Sequence, residues 1–165
     1  MMRFVLVAAA LLFALVDAGP SPAWADPAMV ERMIGRLNHH RSLHGLPALR
    51  AHPKLSAAAQ AHAEAMRDEA CFAHTCPNGP DLSERLRRAG YRFRVASENI
   101  AAGFERPEEV VDVWMRSDSH RRNILDPEVL EAGAGYAFIE RRRDRQELGH
   151  YWSLALGARR PAQGD

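Results

Sequence analysis

Three residues of this chain have the types that acid–base or metal chemistry needs, and each lies in a polar stretch beside a predicted element: His74, Glu98 and His120. A carboxylate and two imidazoles that converge would make one of two things. One is an acid–base group with Glu98 as the candidate catalytic residue; the other is a metal site on His74 and His120 with an open position. Spacing along the chain does not by itself establish convergence. His74 also sits inside Cys71-Phe72-Ala73-His74-Thr75-Cys76, which contains both cysteines of the chain. That segment can be read as a disulfide, as two free thiols or as part of a metal site. Its C-x4-C spacing differs from the C-x2-C of thioredoxin-like and zinc-ribbon sites. Pro77-Asn78-Gly79-Pro80 follows at once and supplies the turn chemistry a short bridge needs.

The remaining candidates are weaker. Ser117 and Ser119 flank His120, but no G-x-S-x-G elbow exists and adjacency in sequence is not a hydrogen bond. His40 and His44 stand four apart on a predicted helix, with no acidic partner or third ligand nearby in sequence, so a solvated face is the simpler reading. His62 falls on an apolar helix face and reads as a packed core histidine. His39, His52 and His150 have no supporting context.

The compartment decides between the cysteine readings. Arg3 precedes an apolar run from Phe4 to Val16, and Ala23-Trp24-Ala25 has the small-x-small pattern of a signal peptidase site. The run is too short to cross a bilayer core of roughly 30 Å as a helix. Residues 1–25 are therefore expected to be a cleaved signal peptide, with a secreted or periplasmic mature chain beginning at Asp26. Export favours pairing of Cys71 with Cys76 over metal or redox work. With 22 Lys+Arg against 21 Asp+Glu, the charge balance gives no electrostatic argument for nucleic acid or an acidic membrane. A monomer is expected.

Asp26-Pro27 opens a first helix carrying Val30, Met33, Ile34 and Leu37, stopped near Gly45. Leu46-Pro47-Ala48-Leu49 reads as extended. A second, alanine-rich helix is expected from about Pro53 to Ala70, and a short third from Asp81 to Ala89 ended by Gly90. Tyr91 to Val95 alternates as a half-buried strand, with Ser97 to Ala101 as a strand end or loop. Pro107-Glu108-Glu109 opens a fourth helix with Val110, Val113 and Trp114 inward. Residues 132–141 and 150–157 read as a hairpin around the polar stretch 142–148, in which Arg141-Arg142-Arg143-Asp144-Arg145 is a solvated basic tip. Residues 158–165 read as a disordered tail. Four helices and about three strands out of alternating order give one α+β domain over residues 26–157.

The ordered set of short strings resembles bacterial CAP domains, the superfamily of cysteine-rich secretory, antigen-five and pathogenesis-related-one proteins (SCP-like extracellular proteins). The strings are Leu37-Asn38-His39-His40-Arg41 with Leu46-Pro47-Ala48-Leu49, then Phe72-Ala73-His74-Thr75, Arg85-Leu86 with Ala89-Gly90-Tyr91, and Glu98-Asn99-Ile100-Ala101. Trp114-Met115-Arg116-Ser117, His120-Arg121, Asn123-Ile124-Leu125, Gly135-Tyr136-Ala137 and Tyr151-Trp152 continue the match. The resemblance covers roughly residues 30 to 157. It implies a three-layer α-β-α sandwich with a small central antiparallel sheet and a surface cleft. It also implies that His74, Glu98 and His120 are cleft residues beside Asn99, with Ser117 where eukaryotic relatives carry a second glutamate. Some family members bind divalent cations such as zinc through the two histidines, and others bind sterols or lipids. The resemblance thus implies a module binding a small molecule, a lipid or a divalent cation. The alternatives are an interaction protein for a cell-envelope component or host surface, and a metal-assisted hydrolase using His74, Glu98 and His120.

Overall fold

The computed structural model describes residues 27–140 and 149–160. The leader with its cleavage site, the basic tip at 141–145 and the end of the tail lie outside the described residues.

Helix α1 (Pro27–Leu43) begins with proline at a position whose N–H needs no partner, and buries Met33, Ile34 and Leu37. Gly45, at φ +68°, ends the turn that follows it. Strand β1 (Arg50–Ala51) is two residues long. Helix α2 (Pro53–Asp68) is capped by His52, whose Nδ1 accepts from Lys54 N, and helix α3 (Leu82–Arg88) by Asp81, whose side chain accepts from Glu84 N. After strand β2 (Phe93–Ala102) come α4 (Pro107–Arg116), α5 (Asp118–Ile124), β3 (Glu131–Phe138) and β4 (His150–Arg159). The expected hairpin is present, with Phe138 opposite His150 and Ala132 opposite Leu156.

The sheet runs β1-β3-β4-β2. It is mixed and not purely antiparallel as expected, because β1 joins β3 in parallel while β2–β4 and β3–β4 are antiparallel. Along β4, Trp152, Leu154 and Leu156 point to one face and Tyr151 and Ala155 to the other. The first face packs on α1, α4 and α5 through Met33, Leu37, Val110, Trp114 and Ile124. The second packs on α2 and α3 through Leu55, Ala58, Ala59 and Leu86. Both faces are covered, so the three-layer α-β-α sandwich holds.

The α2 layer approaches the sheet very closely. A Cβ on Gly133 would lie 2.0 Å from Ser56 N, and one on Gly135 would lie 2.3 Å from the backbone carbon of Ala59. Only glycine at these two positions of β3 lets the α2 backbone come so near. On the other side, the Arg41 guanidinium is fully buried and donates to the carbonyls of Pro47, Ile124, Asp126 and Val129. Asn38 exchanges two hydrogen bonds with the Leu49 backbone. The Asn38…Arg41 string is therefore a staple that fixes two connections, α1–β1 and α5–β3.

Three further expectations need correction. The helices number five among the described residues, because His120 lies on α5 and not in a loop. Glu98 is inside a ten-residue strand, not at a strand end or in a loop. Residues 158 and 159 continue β4 instead of starting a disordered tail, since Ala158 pairs with Val95 and Arg159 with Phe93.

Candidate functional site

Strand β2 is at the edge of the sheet, and this fact organises the site. An edge leaves one row of backbone carbonyls without ladder partners. Here Asn123 Nδ2 donates to Glu98 O at 3.2 Å and Trp114 Nε1 to Ile100 O at 3.0 Å. Two side chains of the α4–α5 layer thus close over the same edge. Glu98 points into the α2–α3 layer, whereas its neighbour Asn99 points to the α5 side, where its Nδ2 donates to His120 O at 3.1 Å and its Oδ1 accepts from Asn123 at 2.8 Å.

Glu98 is 7% exposed, and both of its oxygens are engaged. Oε1 accepts from Arg85 at 2.5 Å and from Ser153 Oγ at 3.2 Å. Oε2 accepts from His74 Nδ1 at 2.9 Å, with His62 Nε2 further off at 3.9 Å. A buried carboxylate is costly unless paired and hydrogen-bonded, and this one is both.

The loop that carries His74 is held from several directions. Cys71 and Cys76 form a disulfide with Cα atoms 5.8 Å apart. His62, 2% exposed, donates Nε2–H to Ala73 O at 3.0 Å. Arg85 donates to His74 O at 3.1 Å and Pro80 O at 2.8 Å. Burial holds the His62 imidazole below its ordinary pKa, against an opposing pull from Glu98. It therefore works here as a neutral donor.

His120 is oriented by a different device. Its Nδ1 lies 2.9 Å from Ser117 Oγ, which in turn lies 3.2 Å from Ser119 Oγ. Burial lowers the His120 pKa, and the proximity of His74 lowers it further. The two imidazoles are therefore electrostatic neighbours. Each has Nδ1 committed to an oxygen, and neither Nε2 has a protein partner among the described residues. His74, Thr75, Asp81, Leu82, Ser83 and Glu98 line a cleft of about 340 Å³.

A metal-binding histidine is held through one ring nitrogen and leaves the other bare. Among the described residues no group of three or more His, Cys, Asp or Glu could hold a metal ion.

A family model described as the cysteine-rich secretory protein family, CAP, matches residues 34–156. The chain belongs to the CAP family. Among curated relatives, Bacillus subtilis "Uncharacterized protein YkwD" is 36% identical over 106 residues, 64% of this chain and 41% of that protein. The B. subtilis "Uncharacterized membrane protein YlbC" is 26% identical over 122 residues, 74% of this chain and 34% of that protein. This CAP chain spans less than half the length of either curated relative. An extracellular protein containing an SCP domain from Bacillus anthracis superposes with TM-score 0.66 at 27% identity, covering 81% of this chain and 41% of that one. An outer surface protein from Borrelia burgdorferi superposes at 0.70 and 18% identity, covering 83% of this chain and 98% of its own, a likeness of fold.

In this CAP domain, the residues singled out in the sequence fall into two touching pairs, His74–Glu98 and Ser117–His120, joined through Asn99. Sequence reasoning gave no role to Arg85, Ser153 or Asn123, and assigned His62 to the core alone. His62 is buried as expected but also borders Glu98. A signal for Arg85 existed in its place beside Leu86, on the inward side of a short helix with an otherwise exposed basic end. The His40/His44 pair does have an acidic partner, Asp112 of α4 at 3.4 Å from His40 Nε2, which sequence spacing could not reveal. His44 turns instead to Arg121. His52 and His150, without context in the sequence, cap α2 and pair with the Tyr136 hydroxyl at 2.8 Å.

Proposed function

We propose that this protein is an exported CAP-domain binding module whose cleft takes a divalent cation, zinc first among them, through Nε2 of His74 and His120. The observation that carries this reading is the matched tethering of the two imidazoles, Glu98 on one Nδ1 and Ser117 on the other. A bound zinc would act there as a Lewis acid toward an anionic or carbonyl group of a small ligand in the cleft. Binding is favoured over hydrolysis because Glu98 already accepts from Arg85, Ser153 and His74, which leaves it poorly placed to take a proton from water. Export is supported by the leader-like residues 1–25, by the disulfide, and by the extracellular relative from B. anthracis.

Zinc titration followed by calorimetry tests the reading. Binding should saturate near one equivalent and vanish in His74→Ala/His120→Ala. An isotherm unchanged by that double substitution would sink it.

A further inference from the structure

Most arginines among the described residues face a carboxylate, as Arg32 faces Glu108 and Arg94 faces Glu128. The exposed cations without one fall in two groups. Arg116, Arg121 and Arg122 lie on α4 and α5, where Asp118 and Asp126 share a hollow with Arg121 and Arg122. Lys54, Arg92 and Arg160 gather where β2 begins and β4 ends, and their partners there are backbone carbonyls. Lys54 Nζ donates to Gly90 O at 2.9 Å, Arg160 Nε to Phe93 O at 2.9 Å and Arg160 N to Arg92 O at 3.0 Å.

The same end of the sheet holds two more guanidiniums in excess of their acid. Glu131 Oε1 lies 3.0 Å from Arg159 Nη2 and 3.7 Å from Arg50 Nη2, and the two arginine side chains are 58% and 70% exposed. One buried carboxylate thus keeps two arginines side by side at the surface and neutralises one of them. With strand order β1-β3-β4-β2 and neighbours about 4.8 Å apart, the five cations extend roughly 14 Å from Arg50 on β1 to Arg92 beside β2. A chain with 22 Lys+Arg against 21 Asp+Glu conceals this segregation in its net charge.

We propose that this end of the sheet binds a linear anionic polysaccharide, whose carboxylate or sulfate groups recur along the chain. Arg50 and Arg159 take one such group between them through guanidinium N–H donors that Glu131 leaves in solvent, and Lys54, Arg92 and Arg160 meet the groups that follow. Glu131 touches no ligand and only positions the pair. Four of the five cations are arginines, whose planar forks match oxyanions with two hydrogen bonds. The span exceeds what one small anion can touch. Nucleic acid fits less well, because the exposed aromatics Phe72 and Phe138 are elsewhere and bases would find no stacking platform here. A bilayer fits less well too, since Leu130 alone, 39% exposed and joined to Arg50 N, offers little apolar surface to insert. None of this requires His74 or His120, so it stands apart from the cation reading.

The test is calorimetric titration of the full mature chain, at low and at physiological salt, with polygalacturonate and dextran sulfate oligomers. Neutral dextran of the same length and galacturonate monomer are the comparisons. At least one anionic oligomer should bind saturably and more weakly as salt rises, neutral dextran should not bind, and the monomer should bind roughly tenfold more weakly or worse. The triple variant Lys54→Gln/Arg92→Gln/Arg160→Gln, which leaves Glu131 and its partners untouched, should lose roughly tenfold or more in affinity. Arg116→Gln/Arg121→Gln/Arg122→Gln removes the same charge elsewhere and should stay within about twofold of the parent at physiological salt. No saturable binding of either anionic oligomer, or equal losses in the two triple variants, would overturn the site. Monomer binding as tight as the oligomer would overturn the repeated-charge ligand. Tighter binding to phosphatidylglycerol vesicles than to either oligomer would overturn the polysaccharide in favour of a bilayer. The probe series on the parent chain decides the matter even if a variant folds poorly.

Discussion

Two glutamates lie buried on one sheet, face the same helical layer and have different consequences. Glu98 on β2 is 7% exposed and pairs with Ala155 of β4; Glu131 on β3 is 3% exposed and pairs with Gly157. Glu131 accepts from the Tyr91 hydroxyl at 2.7 Å and from Arg159 at 3.1 Å. Burial alone would raise its pKa, but the hydrogen bonds from Tyr91 and Arg159 outweigh that and hold it below the ordinary carboxylate value. Burial and the bond to Glu131 push the Tyr91 hydroxyl well above its usual pKa. The partners of Glu131 are the Tyr91 hydroxyl and the exposed guanidiniums of Arg159 and Arg50, and none of them brings a ring-nitrogen lone pair to solvent. Glu98 also has a buried arginine, but its other oxygen holds an imidazole whose side chain is 59% exposed and whose second nitrogen can still bind. Burial of a carboxylate is therefore no mark of function. The mark is a partner that keeps a lone pair and reaches solvent.

Substitutions test this contrast. The largest effect is expected from Arg85→Ala, which strands Glu98 and should cost about 3–5 kcal/mol in urea denaturation. A loss below about 1 kcal/mol would show that Glu98 does not depend on it. Tyr91→Phe removes one donor from Glu131 and should cost about 1–3 kcal/mol while leaving zinc affinity intact. A change in zinc affinity there would dissolve the distinction between the two glutamates.

Acidity comes next. His62 and His120 have folded-state pKa values below the ordinary 6.5, so the unfolded chain takes up protons first as pH falls. Their contribution to stability is complete above pH 6.5 and is lost as pH drops from there towards the folded values. Thermal midpoints should decline between pH 7 and 5, and less steeply in His62→Gln. A flat profile in the parent would contradict this. The smallest stability change is expected for His74→Ala, within about 1 kcal/mol because its side chain is largely exposed. Yet zinc binding should be lost in that variant, and Ser117→Ala should weaken it by roughly tenfold or more.

Much of the fold was legible because its signals were local. Pro27, Asp81, Gly45 and the hairpin alternation all act within a few residues of themselves. The errors have a common cause in tertiary partners. Glu98 and Asn99 look wrong for a strand interior, and β propensity gives way there because Arg85, Ser153 and Asn123 satisfy them. Helix α5 was hidden because Ser117 reads as a partner of His120 alone, although it also stands at the N-cap position with Asp118 in the first turn. For the candidate site, His74, Glu98 and His120 stand out by residue type and the resemblance adds Ser117 and Asn99, whereas Arg85 and Ser153, which hold Glu98, went unread. A hydrogen bond between residues 13 apart, such as Arg85 to Glu98, leaves no periodic trace.

The claim on which the rest depends is that His74 presents a bare Nε2 because Glu98 holds its Nδ1–H. Long-range ¹H–¹⁵N spectroscopy of the histidine rings at neutral pH measures this directly. The account predicts an Nδ1–H tautomer for His74 and a zinc-dependent shift of Nε2 in both His74 and His120. An Nε2–H tautomer at His74, or zinc that leaves both Nε2 signals in place, would contradict it.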